Sequence, residues 1–150
     1  MRLSGYRQLM ELAFDLTQTR DVRRFLCQMT AASEDMPFGP DALVYKILEK
    51  RMFALLMWNR DPLALNLKCD PNQALILREQ YAAIAPGYHM NKQHWNTVTL
   101  DASLPDAFVI SMIHNSYTLV VNQLSKKDQK LLGYPTAAMG NPYGREVNSI

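Results

Sequence analysis

The residue types best suited to chemistry or recognition are concentrated in one short segment, residues 86–98, which reads PGYHMNKQHWNTV. It contains two histidines, a lysine, two asparagines, a tyrosine and a tryptophan. Imidazole, ammonium and carboxamide groups form hydrogen bonds, and the aromatic rings offer flat apolar faces. A loop this rich in functional groups usually serves a binding site or holds neighbouring elements together.

The two histidines of this segment do not match a known type of metal site. Zinc sites use three or four nitrogen or sulfur ligands at recurring spacings, whereas His89 and His94 are five residues apart and no HExxH pattern is present. Cys27 and Cys69 form no CxxC pair, and Cys69 continues an alternating apolar run that points it inward. The sequence therefore predicts no metal and no other cofactor.

No arrangement of residues predicts catalysis. The chain lacks a GxSxG nucleophile elbow and the two common phosphate-binding patterns, GxGxxG and GxxxxGK[ST]. The acidic pair Glu34-Asp35 precedes Pro37-Phe38-Gly39 and is either part of a ligand site or simply solvated. We expect a protein that is not an enzyme.

Basic side chains on predicted turns and strands are suited to contact DNA phosphates, because a hairpin tip can enter or straddle a groove as a wing. The net charge is only +2 and the isoelectric point is about 8.6, so the total charge does not require a nucleic-acid partner. Turns are also charged simply because they face water. The candidate phosphate contacts, which imply double-stranded DNA, are Lys46, Lys50, Arg51, Arg60, Lys68 and Lys92. Were the partner single-stranded, bases could stack on Tyr88, His89 and Trp95.

Two other interpretations of the 86–98 segment remain open. In the first, the segment closes over a pocket for a small ligand or a protein partner, with the lysine meeting an anionic group and the aromatic rings burying an apolar part. The residues that would line this pocket are Phe38, Tyr88, His89, Asn91, Lys92, His94 and Trp95. In the second, the segment is architectural and locks the long helix to the sheet.

The first half of the chain predicts two helices followed by three strands. Apolar residues at helical spacing predict a helix over 3–16, and a second helix begins near Thr19 or Asp21, which are suited to capping. Residues 31–40 carry proline and glycine, which break a helix. Three apolar runs separated by short polar turns predict an antiparallel meander. These runs are residues 43–48, 52–58 and 63–69.

The second half predicts three more helices and one strand. Asp70-Pro71 predicts a helix start, because aspartate accepts from free amides and proline suits the first helical position; this helix extends to about Tyr81. A strand over 97–100 and a long helix over 105–124 follow the functional segment. Ser125 is suited to capping a last short helix that ends near Gly133.

These elements predict a single α+β domain over residues 1–133, with an antiparallel sheet and helices packed on one face as a two-layer sandwich. A hydrophobic content of 48% in 150 residues is enough for one core. Residues 134–150 contain two prolines and two glycines and predict a flexible tail. No signal peptide or membrane span is expected, and isolated cysteines suit a reducing compartment, so we expect a cytoplasmic protein.

Many ordered segments of the chain resemble the MmcQ/YjbR family. They include Glu34-Asp35-Met36-Pro37-Phe38-Gly39, Val44-Tyr45-Lys46, Leu67-Lys68-Cys69-Asp70-Pro71, Leu77-Arg78-Glu79-Gln80, residues 86–98 and Leu104-Pro105-Asp106. The resemblance covers about 26–132, and an N-terminal helical extension over 1–25 is less family-like. It implies a CyaY-like fold and a double-wing DNA-binding motif, with no catalytic residues to carry over. Frataxin-like proteins of similar fold bind iron through an acidic ridge that this chain lacks, so the resemblance implies no iron site.

Overall fold

The computed structural model describes residues 14–133. The predicted tail over 134–150 and most of the predicted helix over 3–16 lie outside them. The described part contains four helices and six strands, which run in chain order as follows. They are α1 (Thr19–Cys27), β1 (Ala32–Asp35), β2 (Leu43–Ile47), β3 (Arg51–Met57), β4 (Leu63–Lys68), α2 (Pro71–Gln80), β5 (Ile84–Pro86), β6 (Trp95–Leu100), α3 (Asp106–Val121) and α4 (Lys126–Leu131).

The strands form one antiparallel sheet in the order β1-β2-β3-β4-β6-β5, and the helices pack on one side of it. The predicted α+β fold is confirmed, as is the β2-β3-β4 meander. Two strands were not predicted. β1 carries Ser33 and Glu34, and β5 has three residues ending in Pro86. Neither segment has strong β propensity, so both become strands only because a neighbouring strand pairs with them.

The main core lies between the sheet and α3, which packs against β3 and β4. The rings of Phe53 and Tyr117 meet edge to face at 5.3 Å. Ser116 is fully buried in this layer, where its hydroxyl donates to the Phe53 carbonyl and accepts from the Lys68 amide. A buried hydroxyl with both bonds satisfied holds α3 to two adjacent strands.

The opposite face of the sheet carries a second, smaller apolar cluster. Strand alternation points alternate side chains away from the helices. We call this surface the open face, defined by Val44, Leu55, Met57 and Ala64. Met90 packs on it from the segment that sequence analysis singled out, so that segment lies on the side of the sheet away from the helices.

The predicted helix caps are confirmed at two positions and wrong at a third, where the helix begins near the predicted residue but without a side-chain cap. The Asp70 carboxylate accepts from two amides at the start of α2, and the Ser125 hydroxyl accepts from the Asp128 amide at the start of α4. α1 begins after Gln18 with no side-chain cap. Asp21, one of its two predicted caps, instead accepts from the Asp15 amide at 3.0 Å, which draws the preceding segment against the helix.

Replacing Asp70 with alanine is expected to lower the free energy of unfolding by about 1 kcal/mol, because the amides of Asn72 and Gln73 lose their acceptor. Asp70→Asn is the matched control, since asparagine also caps helices well. Urea denaturation measures both variants. An equal loss of unfolding free energy in Asp70→Ala and Asp70→Asn would show that the hydrogen-bonding cap contributes nothing and that only the charge of Asp70 matters.

Candidate nucleic-acid interface

Residues 87–94, here called the 87–94 loop, are anchored on two polar side chains buried beneath them in the sheet. The Asn66 amide donates to the Tyr88 carbonyl at 3.0 Å, and the Tyr88 amide donates to the Thr97 hydroxyl at 2.9 Å. The same hydroxyl donates to the Asn66 Oδ1 at 2.6 Å. This closed set of bonds fixes the backbone of Tyr88 on both sides, while 55% of the residue stays exposed.

Close packing at Gly87 fixes where the loop begins. A Cβ there would lie 2.8 Å from both the Cβ and the carbonyl oxygen of Trp95, so only glycine fits without a shift. The Gly87 amide donates to that same carbonyl at 2.8 Å. His89 then takes a positive φ of 56°, a left-handed conformation that turns the chain back across the open face.

Arg78 joins the loop to α2. Its Nε donates to the Asn96 Oδ1 at 2.7 Å, and its Nη2 donates to the carbonyls of Trp95 and Lys92. A guanidinium fork bonded to three oxygens from one segment holds that segment firmly. The sequence did not predict Arg78 as a site residue, and it appeared only within a segment that resembles the family. No local pattern shows that a side chain on a helix reaches a loop fourteen residues away.

The structure changes the interpretation in which residues 86–98 lock the long helix to the sheet. The 87–94 loop lies on the open face, whereas α3 packs on the other face of the sheet. The loop is held to α2 through Arg78 and to the end of β4, where the Cys69 amide donates to the His94 carbonyl at 2.8 Å. Burial raises the pKa of the Cys69 thiol to about 12, consistent with an inert buried thiol.

Three exposed residues on this side form what we call the Tyr88 cluster, defined as Tyr88, His89 and Arg60. The rings of Tyr88 and His89 touch, with centroids 4.0 Å apart and a tilt of 54°. The Arg60 guanidinium lies 5.8 Å from the Tyr88 ring centroid, within the range of a cation–π contact. Lys92 is exposed in the same loop, with its Nζ 3.5 Å from the Gly87 carbonyl.

The six predicted phosphate contacts do not form one patch. Lys46 lies on the open-face side of β2, next to Met52 near the start of β3, so it shares this face with Arg60 and Lys92 but lies at the opposite end of β3 from Arg60. The other three, Lys50, Arg51 and Lys68, lie near the opposite end of β3 from Arg60. β3 has seven residues, so Arg51 and Arg60 are separated by about 20 Å.

Two members of the second group have partners within the protein. The Lys50 ammonium pairs with the Asp128 carboxylate of α4 at 2.8 Å, and the Lys68 ammonium donates to Gln123 at 2.9 Å. Lys68 also lies 6.0 Å from the Trp95 ring centroid. Desolvation, with a smaller contribution from Arg51, lowers the pKa of Lys68.

The residues of the predicted ligand pocket differ in their exposure to solvent. Phe38 is 71% exposed in the β1–β2 connection, His89 and Asn91 are exposed, and Trp95 is buried. The two best-defined cavities of the described part lie elsewhere, and each has room for about one water molecule. One lies between α2, α3 and the β4–β6 pair, and the other lies beside the start of α3; neither is lined by a predicted pocket residue.

The Glu34 carboxylate is bound by other side chains of the protein. Arg23 donates to both of its oxygens, at 2.7 and 3.2 Å, and the Tyr45 hydroxyl donates to it at 2.6 Å. The Cys27 thiol lies 3.6 Å away. The Arg23 guanidinium, above all, lowers the pKa of the Glu34 carboxyl, and burial raises the pKa of the Tyr45 hydroxyl well above its usual range.

Residues 14–133 contain no group of three or more histidine, cysteine or acidic side chains placed to hold a metal ion. Within the same range, no helix has the length and apolar character needed to cross a bilayer.

The fold and the sheet-covering loop define a small α+β domain with a polar and aromatic surface on its open face. A family model described as YjbR matches residues 27–119, and the protein belongs to the YjbR family. It is 43% identical over 94 residues to the uncharacterized protein YbdF of Escherichia coli O157:H7, covering 63% of this chain and 76% of that protein. It is 39% identical over 85 residues to the uncharacterized protein YjbR of Escherichia coli K12, covering 57% of this chain and 72% of that protein.

Solved structures show the same fold. The Deinococcus radiodurans protein DR2400, described with a DUF419 domain, has a TM-score of 0.76 and 38% identity, covering 85% of this chain and 96% of that one. A Pseudomonas syringae protein has a TM-score of 0.60 and 29% identity, covering 68% of this chain and 97% of that one.

Replacing Arg78 with methionine is expected to cost about 2 kcal/mol of stability, because charge-assisted bonds to three oxygens are lost while the apolar stem is kept. Hydrogen exchange of the Gly87 and Trp95 amides should accelerate, since the loop loses its clamp. Glu79→Gln, an exposed neighbour on the same helix, is the control for both readouts. Unchanged exchange in Arg78→Met would show that the guanidinium does not hold the loop.

Glu34→Gln is expected to lower stability at neutral pH by up to about 1 kcal/mol, a small value because Arg23 is half exposed. The folded-state pKa of Glu34 is below its unfolded value of about 4.5, so the stabilisation is present above that pH and lost as the pH falls through the folded-state pKa. The difference between wild type and variant should therefore shrink on acidification in urea denaturation. A difference independent of pH would contradict the charge-based account.

Proposed function

We propose that this protein binds DNA, without catalysing a reaction, through the open-face side of its sheet. Arg60 and Lys92 contact phosphates near the rings of Tyr88 and His89, and Lys46 contacts a phosphate farther along the open face. The observation that carries the proposal is the placement of the exposed Arg60 guanidinium 5.8 Å from the exposed Tyr88 ring, with the exposed Lys92 in the same loop as that tyrosine. We propose that the protein acts in the cytoplasm.

Three considerations support this surface over the other predicted contacts. Lys50 and Lys68 already bond to side chains of the protein, and a phosphate would have to compete with those partners. Arg60 and Lys92 sit on connections that are held in place by the sheet and by Arg78, so little ordering is needed on binding. The resemblance to a family described by a double-wing DNA-binding motif favours the same class of partner.

The proposed interaction is weak and depends on salt. A net charge of +2 gives little long-range attraction, so affinity comes from local contacts between cations and phosphates. Each neutralised phosphate contributes a slope of about −0.9 for duplex DNA, or about −0.7 for a single strand, to the plot of log affinity against log salt. Three contacts therefore predict a slope of about −2.7 for duplex or about −2.1 for single-stranded DNA, which is shallow for a DNA-binding protein.

Replacing both Arg60 and Lys92 with alanine is expected to weaken DNA binding about 10-fold at about 50 mM salt and to reduce the salt slope by about 1.8 for duplex or about 1.4 for single-stranded DNA, because two phosphate contacts are lost. Fluorescence anisotropy of labelled DNA at several salt concentrations measures both quantities. The matched control is Lys126→Ala with Lys130→Ala, which removes the same charge from exposed positions on α4.

Two results would overturn the proposal. One is the absence of binding at about 50 mM salt, where phosphate contacts are strongest. The other is an equal loss in the α4 control, which would show that only overall charge matters and that the open face is not the binding surface.

A further inference from the structure

We propose that the DNA bound by this surface is single-stranded, with an unpaired base stacking on the exposed ring of Tyr88. This inference rests on the proposed function and specifies its substrate class. It follows from the way the Tyr88 ring is displayed, from the positions of the hairpin turns, and from the charges around them.

The Tyr88 ring is displayed by a fixed backbone. Its amide and carbonyl are both bonded to buried side chains, Thr97 and Asn66, at 2.9 and 3.0 Å, yet the residue is 55% exposed. A large aromatic ring held in water by a rigid backbone loses little freedom when a base stacks on it. Bases of any sequence have flat faces, so such a ring binds a strand without requiring a sequence.

The neighbours of Tyr88 favour the same ligand. His89 contacts the ring at a centroid distance of 4.0 Å and extends the aromatic surface, and the Arg60 guanidinium lies 5.8 Å from the ring centroid. Aromatic rings beside an arginine are typical of sites that bind single-stranded nucleic acids, because a ring stacks on the base and the guanidinium binds the adjoining phosphate. In a duplex the base faces are covered by stacking and are not accessible to a surface ring.

The hairpin turns are poorly placed to act as paired wings on a duplex. The β2–β3 turn, with Lys50, and the β3–β4 turn, with Arg60, lie at opposite ends of β3 and point away from each other. Two tips that point in opposite directions cannot enter one groove together. The basic side chain of the first turn is also paired with Asp128.

The two connections that do lie together carry the wrong charge for a duplex backbone. The β1–β2 and β3–β4 connections are joined by a hydrogen bond of 2.7 Å from Asn59 to Asp41. The two connections and the adjoining end of β1 carry three negative charges, from Asp35, Asp41 and Asp61. Arg60 is the one positive charge on these connections. A duplex presents two phosphate chains and would bring one of them to this acidic end. A single strand has one phosphate chain, which can contact Arg60 at this end and then run across the open face toward Lys92 and Lys46, away from the aspartates.

The test compares three labelled oligonucleotides of about 15 nucleotides in fluorescence anisotropy. They are a thymidine strand, the same strand in a duplex, and a strand of equal length with abasic residues, which keeps the phosphates but lacks the bases. The thymidine strand is expected to bind about 10-fold more tightly than either of the other two, because only it offers a free base for stacking.

Variants then locate the contact. Tyr88→Ala is expected to weaken binding of the thymidine strand about 10-fold and to leave binding of the abasic strand unchanged, whereas Tyr88→Phe keeps the ring and the affinity. Phe38→Ala is the matched control, since Phe38 is a more exposed aromatic residue on the acidic side of the molecule. Circular dichroism confirms that each variant is folded.

The outcomes separate the two proposals. If no oligonucleotide binds at about 50 mM salt, the proposed function fails and this inference fails with it. If the duplex binds as tightly as the thymidine strand, or if Tyr88→Ala leaves binding of the thymidine strand unchanged, the inference is overturned while DNA binding stands.

Discussion

The structure of the candidate surface depends on one buried polar arrangement, the hydrogen bonds among Asn66, Thr97 and the backbone of Tyr88. Asn66 is fully buried in the sheet, where an unpaired carboxamide would be costly. The Tyr88 carbonyl accepts its amide proton, so the loop cannot lift from the sheet without leaving that group unsatisfied. The requirement to satisfy one buried side chain thus fixes the position of the most exposed aromatic residue on this face.

The same loop also covers apolar surface on the open face of the sheet. A sheet with helices on one side leaves its other face partly apolar, and Val44, Leu55 and Met57 would otherwise meet water. Met90 packs against this cluster while its neighbours in the chain stay polar and exposed. One segment therefore contributes to stability and presents functional groups. Arg78 makes this double role possible, because it ties the far end of the loop to α2.

Internal pairing decides which charges are available for a partner. Lys50, Arg23 and Lys68 each have polar partners within the protein, so a count of basic residues overstates the surface that can bind phosphate. Among residues 14–133, the Arg60 guanidinium contacts the Met57 sulfur and lies near the Tyr88 ring, and the Lys92 ammonium lies 3.5 Å from the Gly87 carbonyl. Their positions, rather than the net charge of the chain, define the candidate surface.

Local sequence patterns by themselves determined much of this protein. Alternating apolar runs predicted the β2-β3-β4 meander, and Asp70 and Ser125 predicted two helix starts, because propensity and capping act within a few residues. The unusual composition of 86–98 also identified the loop. Tertiary structure decided the rest: β1 and β5 exist through pairing, β6 begins at Trp95 rather than at position 97, and Arg78 reaches a segment distant in sequence. It also divided the basic residues between two ends of the sheet, because register and packing join residues that no local pattern relates.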